Sequence, residues 1–350
     1  MKRILTLALA ILIVFGTTAC GGKSASSSSG DELGTYTVRV AHGLTLEHPV
    51  HQAYEQMKSY VERETDGRVK IEIYPNSQLG GERELVEQVK NGTLEMAYTT
   101  VGPLTSFAPE FMVLDIPFLF DSYEEAWMIL DSNVGATLSD SLNQYDLELM
   151  CWMESGFRHI TNNTKPIIAP ADLSGMKIRT MEAAMHMANF SALGANPTPV
   201  SWTELYLALS QKLVDGQENP VGNIVDIKLY EVQKYLTLDG HLYDAAPMVT
   251  NYKWFQSLPA AYQRVLKEGA QMAQNYNRYM NYLCEDQYTQ ILKDKGMEVI
   301  ELTSEQKQAF ADLGQPAVIA EVKKNIDAAF VDQFLASIEE IKKLETVQVS

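Results

Sequence analysis

The chain has 350 residues, among them 28 Lys or Arg and 45 Asp or Glu, which gives a formal net charge of −17. A surface of this charge repels nucleic acids and anionic lipids, and it repels free anions at long range, so any anion site must depend on local arginines. The length and the hydrophobic fraction of 46% are those of a globular protein, and they favour two domains over one.

The N-terminus has the features of a secretory signal peptide. Two basic residues are followed by an apolar run, residues 4–15, that is too short to cross a bilayer as a stable helix. Small residues then precede Cys20, as they do where a lipoprotein signal peptidase cleaves. We predict a signal peptide over residues 1–19 and a lipid on Cys20, although Thr17 stands where the usual motif has Leu. The alternative is an ordinary signal peptide cleaved near Ala19.

Residues 20–35 are predicted to form the lipid anchor and a flexible tether. Residues 21–30 include five serines and three glycines, and no hydrophobic core can be built from such a composition. No later apolar segment is long enough to span a bilayer. The sequence therefore predicts an extracytoplasmic protein held by its lipid to the cell membrane, in the periplasm or on the outer face of the plasma membrane.

The first part of the mature chain predicts strands that alternate with helices. Strands are expected over residues 36–41, 69–74 and 94–98, and helices are expected from Pro49 to Gly67 and over residues 82–90. This β-α-β-α-β order predicts a parallel sheet with helices on both faces.

The middle of the chain repeats this organisation. Residues 107–120, rich in aromatics and prolines, predict an irregular lid or cross-connection, a helix is expected from Asp121 or Ser122 to Leu130, and a strand over residues 147–152. The pattern restarts at Phe157, with expected elements over residues 176–180 (strand), 181–193 (helix), 201–212 (helix) and 213–219 (extended). Ser201 and Glu204 have the spacing of a capping box at the start of the third of these.

Long helices are predicted at the end of the chain. Residues 259–295 contain no internal proline, and a helix of this length spans around 50 Å, enough to brace two domains. Residues 304–344 predict further helices with a charged face. Cys151 and Cys284 are expected to be buried hydrophobic residues, although the sequence leaves a disulfide between them open.

Two segments in the middle carry the residue types of an anion pocket. Residues 177–179 (KIR) predict a short buried strand that ends on Arg179, and residues 215–220 (DGQENP) place Asn219 before a proline. An arginine offers a planar fork of donors that matches a carboxylate, and an asparagine offers both a donor and an acceptor. Together they predict a pocket for a small organic anion. From spacing alone, Arg179 is equally a surface residue paired with Glu182.

Four stretches resemble the solute-binding subunit of tripartite ATP-independent periplasmic (TRAP) transporters, the dicarboxylate and sugar-acid-binding family. They are residues 74–80 (YPNSQLG), 156–158 (GFR), 175–179 (GMKIR), and 197–199 (PTP) with 215–220. The resemblance extends from about Tyr36 into the long helix. It implies an α/β fold, a two-lobed clamshell in which each lobe is a mostly parallel sheet flanked by helices and one long helix braces both lobes. The expected lobes are residues 36–155 with 245–284, and 156–244 with 285–350.

The resemblance also implies which residues hold the ligand. Arg179 makes the principal bidentate salt bridge to a carboxylate, Arg158 lies nearby and adds a second contact, and Asn219 bonds the carboxylate or an adjacent hydroxyl. Trp202 is expected against the ligand, and Thr100 supplies a polar contact from the first lobe. The residues alone leave other roles open: an exposed loop arginine at 158, a turn residue at 219, a core tryptophan at 202 and a structural threonine at 100.

Glu47 and His42 are weaker candidates in the loop after the first strand. Loops at strand ends face the binding crevice of α/β sheets, so these side chains are expected to bond sugar hydroxyls. The alternatives are a helix N-terminal charge for Glu47 and a solvated loop position for His42. His48 and His51 have a spacing that metal ligands use on helices, but no cysteine or acidic partner completes a set, so we predict no metal and no cofactor.

The resulting hypothesis is a non-catalytic, monomeric binding protein that passes a sugar acid, such as a uronate or aldonate, to the membrane subunits of a TRAP permease. A C4-dicarboxylate is the near alternative, and it needs a second cation in the pocket, which Arg158 can supply. An enzyme is disfavoured because the chain has no Gly-x-Ser-x-Gly, His-Glu-x-x-His, P-loop or Gly-x-Gly-x-x-Gly motif. A metal-binding lipoprotein is the third class.

Overall fold

A computed structural model describes residues 34–348 of the chain, with side chains for residues 34–343. The predicted signal peptide, Cys20 and most of the tether lie outside these residues. Within residues 34–348, no helix is long and apolar enough to span a bilayer.

Nine strands of the described chain form one mixed sheet. They are β1 (Tyr36–Ala41), β2 (Val69–Tyr74), β3 (Met96–Tyr98), β4 (Leu147–Asn162), β5 (Lys177–Thr180), β6 (Asn196–Pro199), β7 (Gly216–Pro220), β8 (Tyr235–Asn251) and β9 (Glu298–Glu301). Their order is β2-β1-β3-β8-β4-β7-β5-β6, with β9 beside β8. β1 runs parallel to β2 and β3, as predicted for the first unit, and β5 runs parallel to β6 and β7.

Twelve α-helices of the described chain flank this sheet. They are α1 (Pro49–Glu64), α2 (Glu82–Lys90), α3 (Val101–Leu104), α4 (Tyr123–Leu130), α5 (Asn133–Ser141), α6 (Ala184–Ala192), α7 (Trp202–Ser210), α8 (Val221–Asp226), α9 (Tyr252–Ser257), α10 (Ala260–Asp294), α11 (Ser304–Asn325) and α12 (Ala328–Gln348). Most of the predicted helices are present within a few residues of their expected ends.

β4 and β8 connect the two α/β units. The two strands are antiparallel and pair from Leu147 with Asn251 to Asn162 with Tyr235. One end of β8 pairs with β3, and the opposite end of β4 pairs with β7. The fold is therefore the predicted α/β clamshell in which both units share one sheet. The lobe boundaries at residues 155/156 and 244/245 remain a prediction.

Two of the local predictions differ from the structure in part. Of the two alternatives for residues 107–120, the segment is a cross-connection rather than a lid: it contains a 3-10 helix over Pro109–Asp115, and Phe111 and Leu114 lie in the hydrophobic core. The capping box at α7 is also wrong. The Ser201 hydroxyl donates to the Glu204 carboxylate at 3.0 Å and makes no capping bond to the helix backbone, so only the predicted helix start is right.

The 35-residue helix α10 fastens the irregular part of β4 through side-chain amides. The pairing of β4 with β8 shifts register between Glu154 and Gly156. Gln274 Oε1 accepts the Trp152 N–H at 2.9 Å, and Asn277 Oδ1 accepts the Glu154 N–H at 2.8 Å. A buried N–H without a partner is costly, so these amides satisfy donors at a place where the sheet pairing is disturbed.

We expect Asn277→Ala to lower the free energy of unfolding by about 1–3 kcal/mol, because it leaves the buried Glu154 N–H without an acceptor. Denaturant unfolding followed by circular dichroism measures this change. Asn275→Ala on the exposed side of α10 is the matched control and should stay within about 0.5 kcal/mol of wild type. Equal effects of the two substitutions would contradict a stabilising role of the Asn277 side chain at β4.

The two cysteines of the described chain are both free thiols. Cys151 is buried in β4 and Cys284 is partly buried on α10, so no disulfide joins them. Burial raises the pKa of the Cys151 thiol to about 12, as expected for a buried hydrophobic cysteine.

Candidate functional site

A cavity lies where the carboxyl ends of several strands meet. In α/β sheets the loops that follow parallel strands converge at one edge, which is where ligands bind. Here the segments after β1, β3, β5 and β6 and the end of β7 all reach this cavity. It is lined by Leu44, Gly81, Glu82, Arg83, Glu84, Tyr98, Thr100, Pro103, Arg158, Arg179, Met181, Glu182, Ser201, Trp202, Asn219 and Asn223.

Arg179 is a buried cation that lacks a counter-charge. It lies in β5 and is 2% exposed. Its Nε donates to the Val200 carbonyl at 2.8 Å, whereas its buried Nη1 has no hydrogen-bond partner. In the described chain no carboxylate lies within salt-bridge distance of Arg179, and burial lowers its pKa to about 10. The alternative of a surface arginine paired with Glu182 is therefore wrong.

The positive charge of Arg158 in β4 is balanced by carboxylates of the protein itself. Its Nε and Nη2 donate to the two carboxylate oxygens of Glu218, and its Nη1 donates to Asp244 Oδ2 at 2.5 Å. Burial by itself would lower the pKa of Arg158, but these two carboxylates outweigh it and raise the pKa. The two buried arginines of the cavity lining thus differ: Arg158 is held by two protein carboxylates, and Arg179 has none.

A network of buried charges lies beneath Arg158. His241 Nε2 lies 3.3 Å and His186 Nδ1 lies 3.5 Å from the Glu218 carboxylate, and His241 Nδ1 lies 2.8 Å from Asp239. Burial lowers the pKa of each histidine, but the neighbouring carboxylates outweigh burial and raise both values to about 9. Both histidines are therefore charged at neutral pH. The residues of this network lie far apart in the sequence, so no single motif predicted it.

Asn219 at the end of β7 places an amide in the cavity wall. Its Nδ2 donates to Gln217 Oε1 at 2.5 Å, and its Oδ1 accepts from Asn223 Nδ2 at 3.4 Å. Asn219 is 2% exposed and lines the same cavity as Arg179. Pro220 follows as the N-cap of α8, so the residue holds the end of a strand rather than a free turn.

Thr100 follows β3 and donates hydrogen bonds to Glu82, a residue that was not predicted from the sequence as part of the site. The Thr100 N–H and hydroxyl donate to Glu82 Oε2 at 2.8 and 2.6 Å. Glu82 is the first residue of α2 and lines the cavity, and burial raises its pKa. The one sequence signal is an acid directly after Gly80 and Gly81, which also has the ordinary explanation of a negative charge at a helix N-terminus.

Trp202 joins the two sides of the cavity. Its Nε1 donates to the Gly43 carbonyl at 3.2 Å, so its N–H is engaged within the protein. A Cβ on Gly43 would lie 3.2 Å from Trp202 Cδ1, a tight contact, so the indole packs closely against this glycine. The indole is partly buried and forms part of the cavity wall.

The structure places His42 and Glu47 outside the cavity lining. His42 is fully buried: Nδ1 accepts the Leu44 N–H at 3.2 Å, so Nε2 carries the proton that bonds His51 at 3.1 Å. Burial, aided by the nearby His51 and His48, lowers its pKa to about 3 and keeps the ring neutral. Glu47 is exposed and lines a separate depression. Among the described residues, no group of three or more His, Cys, Asp or Glu is arranged to hold a metal ion.

The cavity has the chemistry of binding rather than of catalysis. Its lining contains three arginines and two asparagines, but no histidine or cysteine that could act as or activate a nucleophile. The unpaired Nη1 of Arg179 and the amide of Asn219 belong to residues of this same lining. Such a fold and site define a two-lobed binding protein for a small organic anion.

The chain belongs to the bacterial extracellular solute-binding protein family 7 (DctP), whose family model matches residues 40–325. This is the family of TRAP transporter solute-binding subunits that the motifs resemble, and its members are transport proteins rather than enzymes. The predicted family and fold class are confirmed.

Relatives of known type support the same assignment. The 2,3-diketo-L-gulonate-binding periplasmic protein of Escherichia coli (strain K12) is 34% identical over 293 residues, 83% of this chain and 88% of the relative. The C4-dicarboxylate-binding periplasmic protein of Rhodobacter capsulatus is 29% identical over 283 residues, 80% and 84% of the two chains. The sugar acid binding protein of Advenella mimigardefordensis, solved with galactonate, superposes with a TM-score of 0.84 at 31% identity, covering 88% of this chain and 99% of that one.

Proposed function

We propose that the protein captures a hydroxylated monocarboxylate, a sugar acid such as an aldonate or uronate, and delivers it to the membrane subunits of a TRAP permease. The unpaired Nη1 of Arg179 is the observation that carries this proposal. A buried charge is costly unless it is paired, so a ligand carboxylate supplies the missing counter-ion. Asn219 bonds the same carboxylate or the adjacent hydroxyl.

The state of Arg158 favours a monocarboxylate over a C4-dicarboxylate. A dicarboxylate needs a second cation, and Arg158 is the other arginine that lies deep in the cavity wall. Its Nε, Nη1 and Nη2 already donate to Glu218 and Asp244. Arg158 therefore contributes positive potential and at most one remaining Nη1 hydrogen. The relatives do not decide between the two ligand classes, since one is a C4-dicarboxylate-binding protein, another binds 2,3-diketo-L-gulonate and a third was solved with galactonate.

The remaining wall residues fit a sugar acid. The face of the Trp202 indole offers an apolar surface that suits the C–H face of a polyol chain. Thr100 acts indirectly, because its donors are used by Glu82. His42 and Glu47 take no part in the proposed site.

Closure of two lobes around the ligand is the proposed binding mechanism. Contacts across the cleft support it: besides the Trp202–Gly43 bond, the Thr45 N–H donates to Asp226 at 3.2 Å. Ligand binding selects the closed form because only that form makes contacts from both lobes at once. We further propose that the protein acts as a monomer tethered to the outer face of the membrane through a lipid on Cys20.

A panel of organic acids tested by thermal shift checks the proposed function. We expect galactonate, gluconate or galacturonate to raise the melting temperature, because a ligand at a hundred times its dissociation constant adds about 2.7 kcal/mol of stability. The corresponding neutral sugars and polyols are the matched controls and should have no effect. A neutral sugar that binds more tightly than every acid would contradict the proposal.

A further inference from the structure

We infer that Glu82 determines the specificity of the cavity: its carboxylate accepts a hydrogen bond from a hydroxyl of the ligand and excludes a second carboxylate. The inference rests on the proposed function, because it requires an organic acid whose first carboxylate is bound at Arg179. It adds the reason why a hydroxylated monocarboxylate is preferred to a dicarboxylate.

The two oxygens of the Glu82 carboxylate have different surroundings. Oε2 is held by the N–H and hydroxyl of Thr100 at 2.8 and 2.6 Å, and the Thr99 hydroxyl lies 3.4 Å away. Within the described chain, Oε1 makes no hydrogen bond. The side chain is partly buried and lines the cavity. Thr100 thus fixes the orientation of the carboxylate while one oxygen remains as an acceptor for a ligand.

Glu82 and Arg179 line the same cavity from different parts of the fold. Glu82 begins α2, between β2 and β3 of the first unit, whereas Arg179 lies in β5 of the second unit. A ligand that bridges the two units therefore meets Arg179 with one part and Glu82 with another. The hydroxyl-rich chain of a sugar acid can donate to a carboxylate, and such bonds to a charged acceptor are strong.

A dicarboxylate cannot make the same contacts. Its second carboxylate has no hydrogen to donate and would share the cavity with the carboxylate of Glu82. Like charges in one site oppose ionisation of both groups, and the partly desolvated environment strengthens the repulsion. No lysine lines the cavity to offset this, Arg158 is already bonded to Glu218 and Asp244, and the third arginine of the lining, Arg83, is exposed to solvent and donates to the Ser106 hydroxyl at 3.1 Å. The site therefore rejects the second negative charge.

Titration calorimetry of Glu82→Gln with galactonate and with succinate tests the inference. We expect galactonate binding to weaken by roughly tenfold to a hundredfold, the range measured for hydrogen bonds to charged groups. We expect succinate binding to strengthen, because the repelling charge is gone while the amide oxygen can still accept from Thr100. Glu87→Gln on the exposed side of α2 is the matched control and should change neither affinity.

Glu82→Asp tests the charge of the side chain separately from its length. The shorter carboxylate keeps the negative charge but lies one methylene farther from the ligand, so galactonate binding should weaken while succinate remains rejected. If Glu82→Asp bound succinate as well as Glu82→Gln does, exclusion by charge would be refuted.

The remaining outcomes are distinguishable from failure of the proposed function. A wild-type protein that binds galactonate, but whose preference over succinate is unchanged in Glu82→Gln, overturns the role of Glu82 alone. A wild-type protein that prefers succinate overturns the inference as well. Binding of neither acid, nor of any other acid in the thermal-shift panel, overturns the proposed function together with the inference.

Discussion

Arg179→Ala is expected to abolish the thermal shift by every organic acid while leaving the melting temperature of the ligand-free protein close to that of wild type. In the structure this guanidinium is buried, its Nη1 is unpaired and, among the described residues, its one hydrogen bond is to the Val200 carbonyl. Replacing Arg179 by alanine therefore removes a desolvated charge and loses one hydrogen bond, and these two effects on stability oppose each other. A ligand loses two charge-assisted hydrogen bonds of about 1.5–3 kcal/mol each, which is a loss of affinity of roughly a hundredfold or more.

Two further substitutions sharpen this test. Arg179→Lys keeps a positive charge but loses the planar fork, so it should recover a small part of the affinity. Arg264→Ala removes an exposed arginine of α10 that does not line the cavity, and it serves as the control for net charge. A protein with Arg179→Ala that still bound the same acid tightly would refute the assignment of the carboxylate site.

Glu218→Gln is expected to cause the largest loss of stability, about 3–5 kcal/mol at neutral pH, because it breaks a buried ion pair and leaves Arg158, His186 and His241 with only Asp244, Asp115 and Asp239 as counter-charges. The Glu218 carboxylate contacts Arg158, His186 and His241, and all four side chains are buried. Denaturant unfolding measures the change. Glu204→Gln on exposed α7 is the matched control and should lie within about 0.5 kcal/mol of wild type.

The pH dependence of stability provides a second test of the same network of buried charges. The pKa values of His186 and His241 are raised to about 9 in the folded protein, whereas the unfolded value is about 6.5. Between these values the folded state binds more protons than the unfolded state, so its stability is fully present below pH 6.5 and is lost as the pH rises through 9. Glu218→Gln removes a carboxylate that raises both pKa values, so it should flatten this decline. An unchanged slope would show that Glu218 does not hold these histidines in their charged form.

The first α/β unit was predictable because each of its elements carries a local signal. β1 and β2 alternate in burial, Pro49 occupies the first turn of α1, and Gly67 has a φ of +71° after that helix. Such signals act within a few residues of the chain. They were therefore readable before the tertiary contacts were known.

β4 and β8 were predicted poorly because buried polar residues interrupt their apolar runs. β4 was expected to stop at Trp152 and extends to Asn162, and β8 was not predicted at all. Arg158 lies fully buried in the unpredicted part of β4, which no hydrophobic pattern would indicate. Its partners Glu218 and Asp244 are 60 and 86 residues away along the chain. The strand is stable because of these distant carboxylates.

By itself, the sequence determined the family, the order of the parallel units and the long helix, because short motifs and local patterns encode them, and the same motifs supplied the residues proposed to bind the carboxylate. The tertiary structure alone decided that Arg179 lacks a counter-charge, that Arg158 has two, that Glu82 lines the cavity and that His42 belongs to the core. Burial and pairing are properties of residues that meet in space, and charges separated by tens of residues acquire their partners only when the strands assemble into one sheet.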